Sequence, residues 1–310
     1  MSTEDARIAL LRDVLEQSGR KTATIDIGDD AAVLPWAEDN LVVSVDAQVE
    51  GTHFRTDWCT FEDIGYRSFM AAASDLAAMG ARIVSATSAL TLPTNFADEA
   101  LRGLAKGQRL AADELGCAVV GGNLARGSEL SVTTTVFGHA KRPLVRSGAR
   151  DGDEIYVAGA LGLARAGLLS FERAIDVPLA REAFRRPVAR LSAGLAAAAQ
   201  GCSSCMDLSD GLAEDAVRLA AASNVSLWFE GESLVSIGGQ LLNDAAAALS
   251  ESPLALAVVG GEDYALLATG RTLPEGFVQV GRVGARASDE GLVFVDGAPL
   301  TLRGFSHFEG

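Results

Sequence analysis

Short acidic clusters recur along the chain, each beside glycines or an apolar run: Gly28-Asp29-Asp30, Asp46, Ser74-Asp75, Asp207, Ser209-Asp210-Gly211 and Gly261-Glu262-Asp263. They lie too far apart for one helix or loop to hold, so only the fold can make them act as a set. Carboxylates gathered in one cleft repel each other unless hard cations sit between them. Mg²⁺ takes oxygen ligands and commonly also holds substrate phosphates, so the pattern points to metal-dependent phosphate chemistry. Each cluster has a plainer reading as well. Gly-Asp-Asp alone is a polar turn. Ser209 or Asp210 could simply cap the helix that follows, although capping needs one residue and leaves Asp207 unexplained. Asp75 is harder to dismiss: within SFMAAASDLAAMGA a carboxylate is either buried, which is costly without a partner, or turned toward a cleft. Gly121-Gly122-Asn123 follows an apolar run, where glycines let a backbone approach a phosphate, but paired glycines are also common in turns. The P-loop pattern, a kinase-type catalytic loop and a GxSxG elbow are all absent.

The elements that must position these residues can be read from periodicity. Leu41–Asp46 reads as a strand ending in a carboxylate, at the kind of edge where α/β sheets place ligands. The pattern predicts helices over Phe61–Met79 and Asp98–Leu115, and strands over Ile83–Leu92 and Cys117–Val120. Leu130–Ala140 alternates Thr and Val as a half-buried strand does. After a turn at Asp151-Gly152-Asp153 come a strand over Glu154–Ala158, a helix from about Ala160 and a helix over Pro187–Ala199. Further helices are expected over Leu212–Ala222 and Gly239–Leu249. Strands are expected over Leu227–Phe229, Leu254–Val259, Tyr264–Ala268, Val278–Val283 and Leu292–Val295. Helices and strands mix without the regular alternation of a doubly wound sheet. The linker KRPLVRSGARDGD, between His139 and Asp151, divides the chain into units of 1–140 and 141–310, in keeping with a length at which single cores stop growing.

Composition narrows the partners. The chain has 310 residues, 48% of them hydrophobic, and a net charge of −15. A surface that acidic argues against an extended nucleic-acid partner, which needs clustered Lys and Arg. The N-terminal MSTEDARIALLRDVLEQSG is an amphipathic helix pattern rather than a signal peptide, and no apolar run is long enough for a membrane span. A cytoplasmic location with no membrane association is expected. Cys202-x-x-Cys205 has no second ligand pair at zinc spacing, so Cys59, Cys117, Cys202 and Cys205 are read as reduced thiols.

Taken in order, IGDDAAVLP, VVSVDAQVEGTHF, ASDLAAMGA, GGNLARG, RSGARDGDEIYVAGALG, MDLSDGLAEDA and GGEDYALL resemble the thiamine-monophosphate kinase family. That family shares a superfamily with aminoimidazole ribonucleotide synthetase and selenophosphate synthetase. The match runs from about residue 25 to Gly304-Phe305-Ser306-His307-Phe308. The resemblance implies a mixed α/β, two-domain PurM-like architecture: an N-terminal mixed sheet with helices and a C-terminal α/β domain. It further implies a homodimer built mainly by the N-terminal domains, and ATP-dependent phosphorylation of thiamine monophosphate to thiamine diphosphate. By position, Asp29, Ser44, Asp46, Asp75, Asn123, Asp207 and Asp210 would hold several Mg²⁺ ions. Gly121, Gly122, Asn123, Arg146 and Ser209 would contact ATP, and His53, Glu262 and Phe305 would line the thiamine phosphate site. No protein nucleophile is implied. Three positions depart from the family pattern: Asn123 stands where an Asp is usual, Val45 where a hydroxyl residue is usual, and Ala105 where an aromatic lies near the ATP base. They leave open another small substrate within the superfamily, or a nucleotide-binding homologue that has lost turnover.

Overall fold

The computed structural model describes residues 24–25, 29–37, 39–287 and 292–302. The N-terminal amphipathic segment, Gly28 and the Gly304–Phe308 run, Phe305 included, lie outside the described residues. Two mixed sheets carry the fold. The first is built from Ala32–Trp36 (β1), Asp39–Val49 (β2), Arg82–Leu92 (β3), Val119–Arg126 (β4) and Ser131–Ala140 (β5), in the order β1-β2-β5-β3-β4. Helices Phe61–Ala78 (α1) and Asp98–Glu114 (α2) cover one face of it. Strand β5 shows why: every second residue, Val132, Thr134, Val136, Gly138 and Ala140, is buried, the period-2 signature of a sheet with one covered face.

Helix α1 starts at a capping box. The Thr60 hydroxyl accepts from the Asp63 amide at 3.2 Å, and the Asp63 carboxylate accepts from the Thr60 amide at 3.1 Å. It crosses α2 at close range, since a Cβ on Gly107 would stand 1.9 Å from the Glu62 carbonyl oxygen. Its C-terminal end reaches into the second half of the chain, where Ala77 and Ala78 join a core with Tyr156, Ala158, Cys205, Leu266 and Ala268.

The second sheet holds Glu154–Ala158 (β6), Ser204–Leu208 (β7), Val225–Phe229 (β8), Ala265–Gly270 (β9), Val278–Ala285 (β10), Val293–Val295 (β11) and Ala298–Pro299 (β12). Its order is β12-β11-β8-β10-β6-β9-β7. The helices of this half are Leu163–Glu172 (α3), Pro178–Arg185 (α4), Leu191–Gln200 (α5), Leu212–Ser223 (α6), Gly231–Leu249 (α7) and Pro253–Val259 (α8).

Several expectations are corrected. Leu254–Val259 is a helix rather than a strand: Pro253 takes the first helical position and the Ser252 hydroxyl accepts from the Ala255 amide. The helix expected over Pro187–Ala199 begins only at Leu191, and Pro187 follows the end of α4, whose first residue is Pro178. Helix α7 extends back to Gly231 through a break at Gly239, where φ is +61°. Strand β7 was read only as the approach to a helix. Asp46 lies inside β2, which continues to Val49, and Gly121-Gly122-Asn123 lies inside β4 rather than beyond a strand.

Candidate functional site

Strand β2 runs along α1 and presents alternate residues to it. Val42 joins the core beneath the helix, and the Ser44 hydroxyl donates to Asp75 and to the Asp30 carbonyl oxygen at 3.1 Å. Four residues on, Gln48 accepts from the Nε of Arg67 at 3.2 Å. Ser44 to Gln48 spans about 13 Å of strand, and Arg67 to Asp75 spans about 12 Å of helix. The two elements therefore run antiparallel in step, with these two sets of contacts at opposite ends of their interface. Asp46 occupies the same strand face, midway, with its carboxylate accepting from Gln48 Nε2 at 3.1 Å.

At one end of this interface Asp30, Asp75 and Asp207 converge, with one carboxylate oxygen from each within 4.8 Å of the others. Among the described residues they form the one such group of metal-ligating side chains. Asp207 arrives from β7, the edge strand of the second sheet, so both halves of the chain contribute. Burial, then the neighbouring Asp30, pushes the Asp75 carboxyl well above the usual range; burial, then Asp75, does the same to Asp207. Asp29 stands beside them, its carboxyl raised to about 6 by burial and Asp30 and its Oδ2 accepting from the Arg146 amide at 3.3 Å. Arg146, expected at ATP, grips Asp30 with two nitrogens at 2.5 and 3.1 Å. Crowded, partly neutralised carboxylates of this kind suit a hard cation.

At the other end lies Arg67, whose side chain is 1% exposed. It pairs with Glu262, donates to the Phe184 carbonyl at 2.7 Å, and lies over the Phe184 ring at 4.5 Å. Tyr264 donates its hydroxyl to the same Glu262 oxygen at 3.1 Å. Glu262 and Tyr264 both have left-handed backbones, with φ of +69° and +48°, a strained arrangement that persists only where the surroundings impose it. They do so through the amides of Glu262 and Tyr264, which donate to the Ser209 and Leu208 carbonyls at 2.8 and 3.1 Å. The Gly-Glu-Asp-Tyr loop is thus stitched to the turn that carries Ser209 and Asp210.

That turn is built differently from a side-chain cap. Gly211 takes the capping position of α6, and neither Ser209 nor Asp210 caps it. Instead the buried Asp215 accepts from the amides of Asp210 and Gly211, both at 3.1 Å. Asp210 pairs with Arg218 at 2.5 Å, which also reaches Asp215 at 2.8 Å. Burial and Asp210 raise the Asp215 carboxyl to about 7. Asp263 accepts from the Gly162 and Ala164 amides at 2.6 and 3.1 Å and so fixes the start of α3.

The remaining sequence candidates are placed as follows. His53 lies in the turn after β2, and its Nδ1 accepts from the Val49 amide at 3.1 Å, which leaves Nε2 as the N–H of the neutral ring. Gly122 lies where β4 pairs with β3: a Cβ there would stand 1.7 Å from the Ser88 carbonyl oxygen. Asn123 is exposed on the same edge strand, and Ala105 is exposed on α2. Val45 points to the face of β2 opposite the carboxylates and is 60% exposed, so its missing hydroxyl is no loss to this carboxylate group. Cys202 and Cys205 are buried thiols; burial pushes Cys202 up to about 11 and Cys205 well above the usual thiol range, which suppresses thiolate chemistry. The sequence reading places Asp30 in an acidic cluster but gives the metal role to its neighbour Asp29, and Arg67 is not singled out. The signal for Arg67 was present: it is a charge in an otherwise buried helix stretch, as Asp75 is.

Residues 28–140 match the family model for the N-terminal domain of AIR synthase related proteins, and residues 150–293 match that for the C-terminal domain. The chain is 34% identical over 299 residues to the thiamine-monophosphate kinase of Corynebacterium glutamicum, covering 93% of this chain and 88% of that one. It is 35% identical over 317 residues to the thiamine-monophosphate kinase of Escherichia coli K12, covering 94% of each. The chain belongs to the thiamine-monophosphate kinase family. Among solved structures, AaThiL complexed with AMPPCP and TMP superposes with a TM-score of 0.88 at 30% identity, over 99% of this chain and 97% of that one. The thiamine-monophosphate kinase of Stenotrophomonas maltophilia gives 0.76 at 30% identity, over 94% and 97%. The hydrogenase maturation protein HypE of E. coli, at 16% identity and a TM-score of 0.67, shares the fold alone. The two-domain PurM-like α/β fold expected from the motifs is the one this kinase family has.

Proposed function

We propose that this chain transfers the γ-phosphoryl group of ATP to the phosphate of thiamine monophosphate, releasing ADP and thiamine diphosphate. The observation that carries the proposal is the convergence of Asp30, Asp75 and Asp207 from both halves of a chain of this family, with the Arg67–Glu262–Tyr264 group at the other end of the β2–α1 interface. An oxygen of the acceptor phosphate attacks the γ-phosphorus in line, while the bond to the β–γ bridging oxygen breaks and its electrons leave with ADP. Such a reaction asks the protein for alignment and charge neutralisation and needs no protein nucleophile.

The donor set fits Mg²⁺, since Asp30, Asp75 and Asp207 supply only oxygens. We assign Asp29, Ser44, Asp46 and Asp210 as further ligands, with Asp29 accepting from the Asp30 amide and Ser44 donating to Asp75. Bound there, Mg²⁺ supplies the positive charge that lets two anionic groups meet. The chain's own residues do the positioning. Ser44 orients Asp75, Arg146 fixes Asp30, and Asp215 holds the Ser209-Asp210 turn. We assign ATP contacts to Arg146, Ser209 and the backbone of Gly121 and Gly122, with Asn123 giving an amide oxygen where the family pattern has a carboxylate. His53, Glu262 and Phe305 are assigned to the acceptor. Exposed Val45, Val84, Val120 and Leu124 on β2, β3 and β4 support a homodimer formed through the first sheet. Among the described residues no helix is long and apolar enough to cross a membrane, and we assign its action to the cytoplasm, where ATP is abundant.

Calorimetry with AMPPCP and Mg²⁺ present tests the acceptor: thiamine monophosphate should bind, and only weakly once Glu262 is replaced by Gln. Absence of binding to the unaltered protein would refute the proposal.

A further inference from the structure

Several buried or half-buried arginines of this chain are engaged by acids, and one is not. Arg67 pairs with Glu262, Arg146 with Asp30, and the half-buried Arg186 with Glu62 and Asp63. Arg190, the residue before α5, joins no ion pair and makes no hydrogen bond among the described residues, although its Nε is fully buried. Burial lowers its pKa, and Asp263 is the carboxylate that opposes the shift. Asp263 is not its partner: the two Asp263 oxygens accept from the Gly162 and Ala164 amides, and no hydrogen bond or ion pair joins Asp263 to Arg190 among the described residues. A guanidinium left in this state, in a chain of net charge −15, lacks a counter-charge that the protein had many acids to provide.

Its position says what the counter-charge is. The Nε lies 3.1 Å from where a Cβ on Gly159 would stand, just past the end of β6. Strands β6 and β7 both pair antiparallel with β9 between them, so they are parallel to each other. Gly159 therefore lies at the same sheet end as Asp207, Ser209 and Asp210. Arg190 is also within electrostatic reach of Asp263, the neighbour of Glu262, whereas Arg146 occupies the carboxylate end beside Asp30. The planar fork of a guanidinium matches the oxygens of a phosphate monoester.

We infer that Arg190 binds the phosphate of the acceptor substrate and sets the preference for a phosphorylated over an unphosphorylated acceptor. The inference rests on the function proposed above. It makes Arg190 a ligand-binding residue rather than a structural one, and it makes the unpaired guanidinium a liability in the ligand-free protein.

The test is calorimetric binding of thiamine monophosphate and of thiamine, with AMPPCP and Mg²⁺ present, to the unaltered protein and to Arg190→Gln and Arg190→Lys. Melting temperatures of the three ligand-free proteins are measured alongside. Loss of charge-assisted hydrogen bonds should weaken thiamine monophosphate roughly 10–100-fold in Arg190→Gln. Thiamine binding should stay unchanged, Arg190→Lys should retain part of the preference, and the ligand-free Arg190→Gln protein should melt no lower than the parent. Equal weakening of both ligands, or a lower melting temperature without ligand, would show a structural role and overturn the inference. Weakened AMPPCP with intact thiamine monophosphate binding would move Arg190 to the donor and overturn it as well. Failure of the unaltered protein to bind thiamine monophosphate would instead defeat the proposed function, and this assignment with it.

Discussion

Replacing Arg67 by Met tests whether the proposed acceptor site around Glu262 and Tyr264 is held by one buried cation. The side chain is 1% exposed, and it joins β2, the end of α4 and the Gly-Glu-Asp-Tyr loop through Gln48, Phe184 and Glu262. Met roughly conserves the volume of the stem, so the loss is one of charge and hydrogen bonds. Removing one partner of a buried pair typically costs about 3–5 kcal/mol; Glu262, 24% exposed, keeps part of its hydration, so the lower end of that range is expected. At about 2–4 °C per kcal/mol for domains approaching this size, the melting temperature should fall by about 10 °C. Adding Glu262→Gln to Arg67→Met removes the orphaned charge, so the double variant should recover roughly 1–3 kcal/mol relative to Arg67→Met alone. Differential scanning fluorimetry of the four proteins measures the cycle, and steady-state kinetics on the same proteins shows where function is lost. Arg67→Met should raise the KM for thiamine monophosphate more than that for ATP. Strict additivity of the two substitutions, within about 0.5 kcal/mol, would refute the claim that Arg67 holds Glu262.

Other outcomes follow from the same geometry. Gly122→Ala places a Cβ 1.7 Å from the Ser88 carbonyl oxygen, so it should pry β4 from β3 and weaken ATP binding; an unchanged KM for ATP would remove that backbone from the nucleotide site. Asp210→Asn should nearly abolish turnover while leaving far-UV circular dichroism intact, and an unchanged kcat would exclude Asp210 from the metal set. Asn123→Asp should tighten Mg²⁺ by restoring a carboxylate, and weaker Mg²⁺ in a titration would count against its placement there. Burial raises the Asp263 carboxyl from 3.8 to about 7. The folded state therefore binds the extra proton between those values, and stability falls as pH rises through that window. Asp263→Asn should flatten the slope, so the melting-temperature difference between variant and parent should grow more positive from pH 4 to pH 7; a pH-independent difference would contradict the assignment.

How much was legible in the residues differs from element to element. Helix α1 and strand β5 were readable because period and burial coincide in both: α1 is apolar nearly all round, and β5 alternates without exception. Leu254–Val259 misled because a short apolar run carries no period of its own, while Ser252 and Pro253, which decide it, precede the run. The carboxylates were legible as a group, since acids next to glycines or inside apolar helices have few other reasons to exist. Which of two adjacent acids points inward was not legible. Asp29 and Asp30 differ only in backbone direction at the start of the first sheet, and it is Asp30 whose oxygen meets those of Asp75 and Asp207. Arg67 and Arg190 were passed over because attention to carboxylates hid the matching anomaly, a cation in a buried helix or at the edge of one. Contacts between residues as distant as Arg67 and Glu262 have no local signature at all.

The central claim is direct transfer onto thiamine monophosphate. The most direct measurement is to incubate the protein with γ-labelled ATP, thiamine monophosphate and Mg²⁺ and resolve the products by chromatography. The account requires label in thiamine diphosphate, equimolar with ADP, and none when Mg²⁺ is chelated. Label released as inorganic phosphate, or ADP formed without thiamine diphosphate, would contradict it.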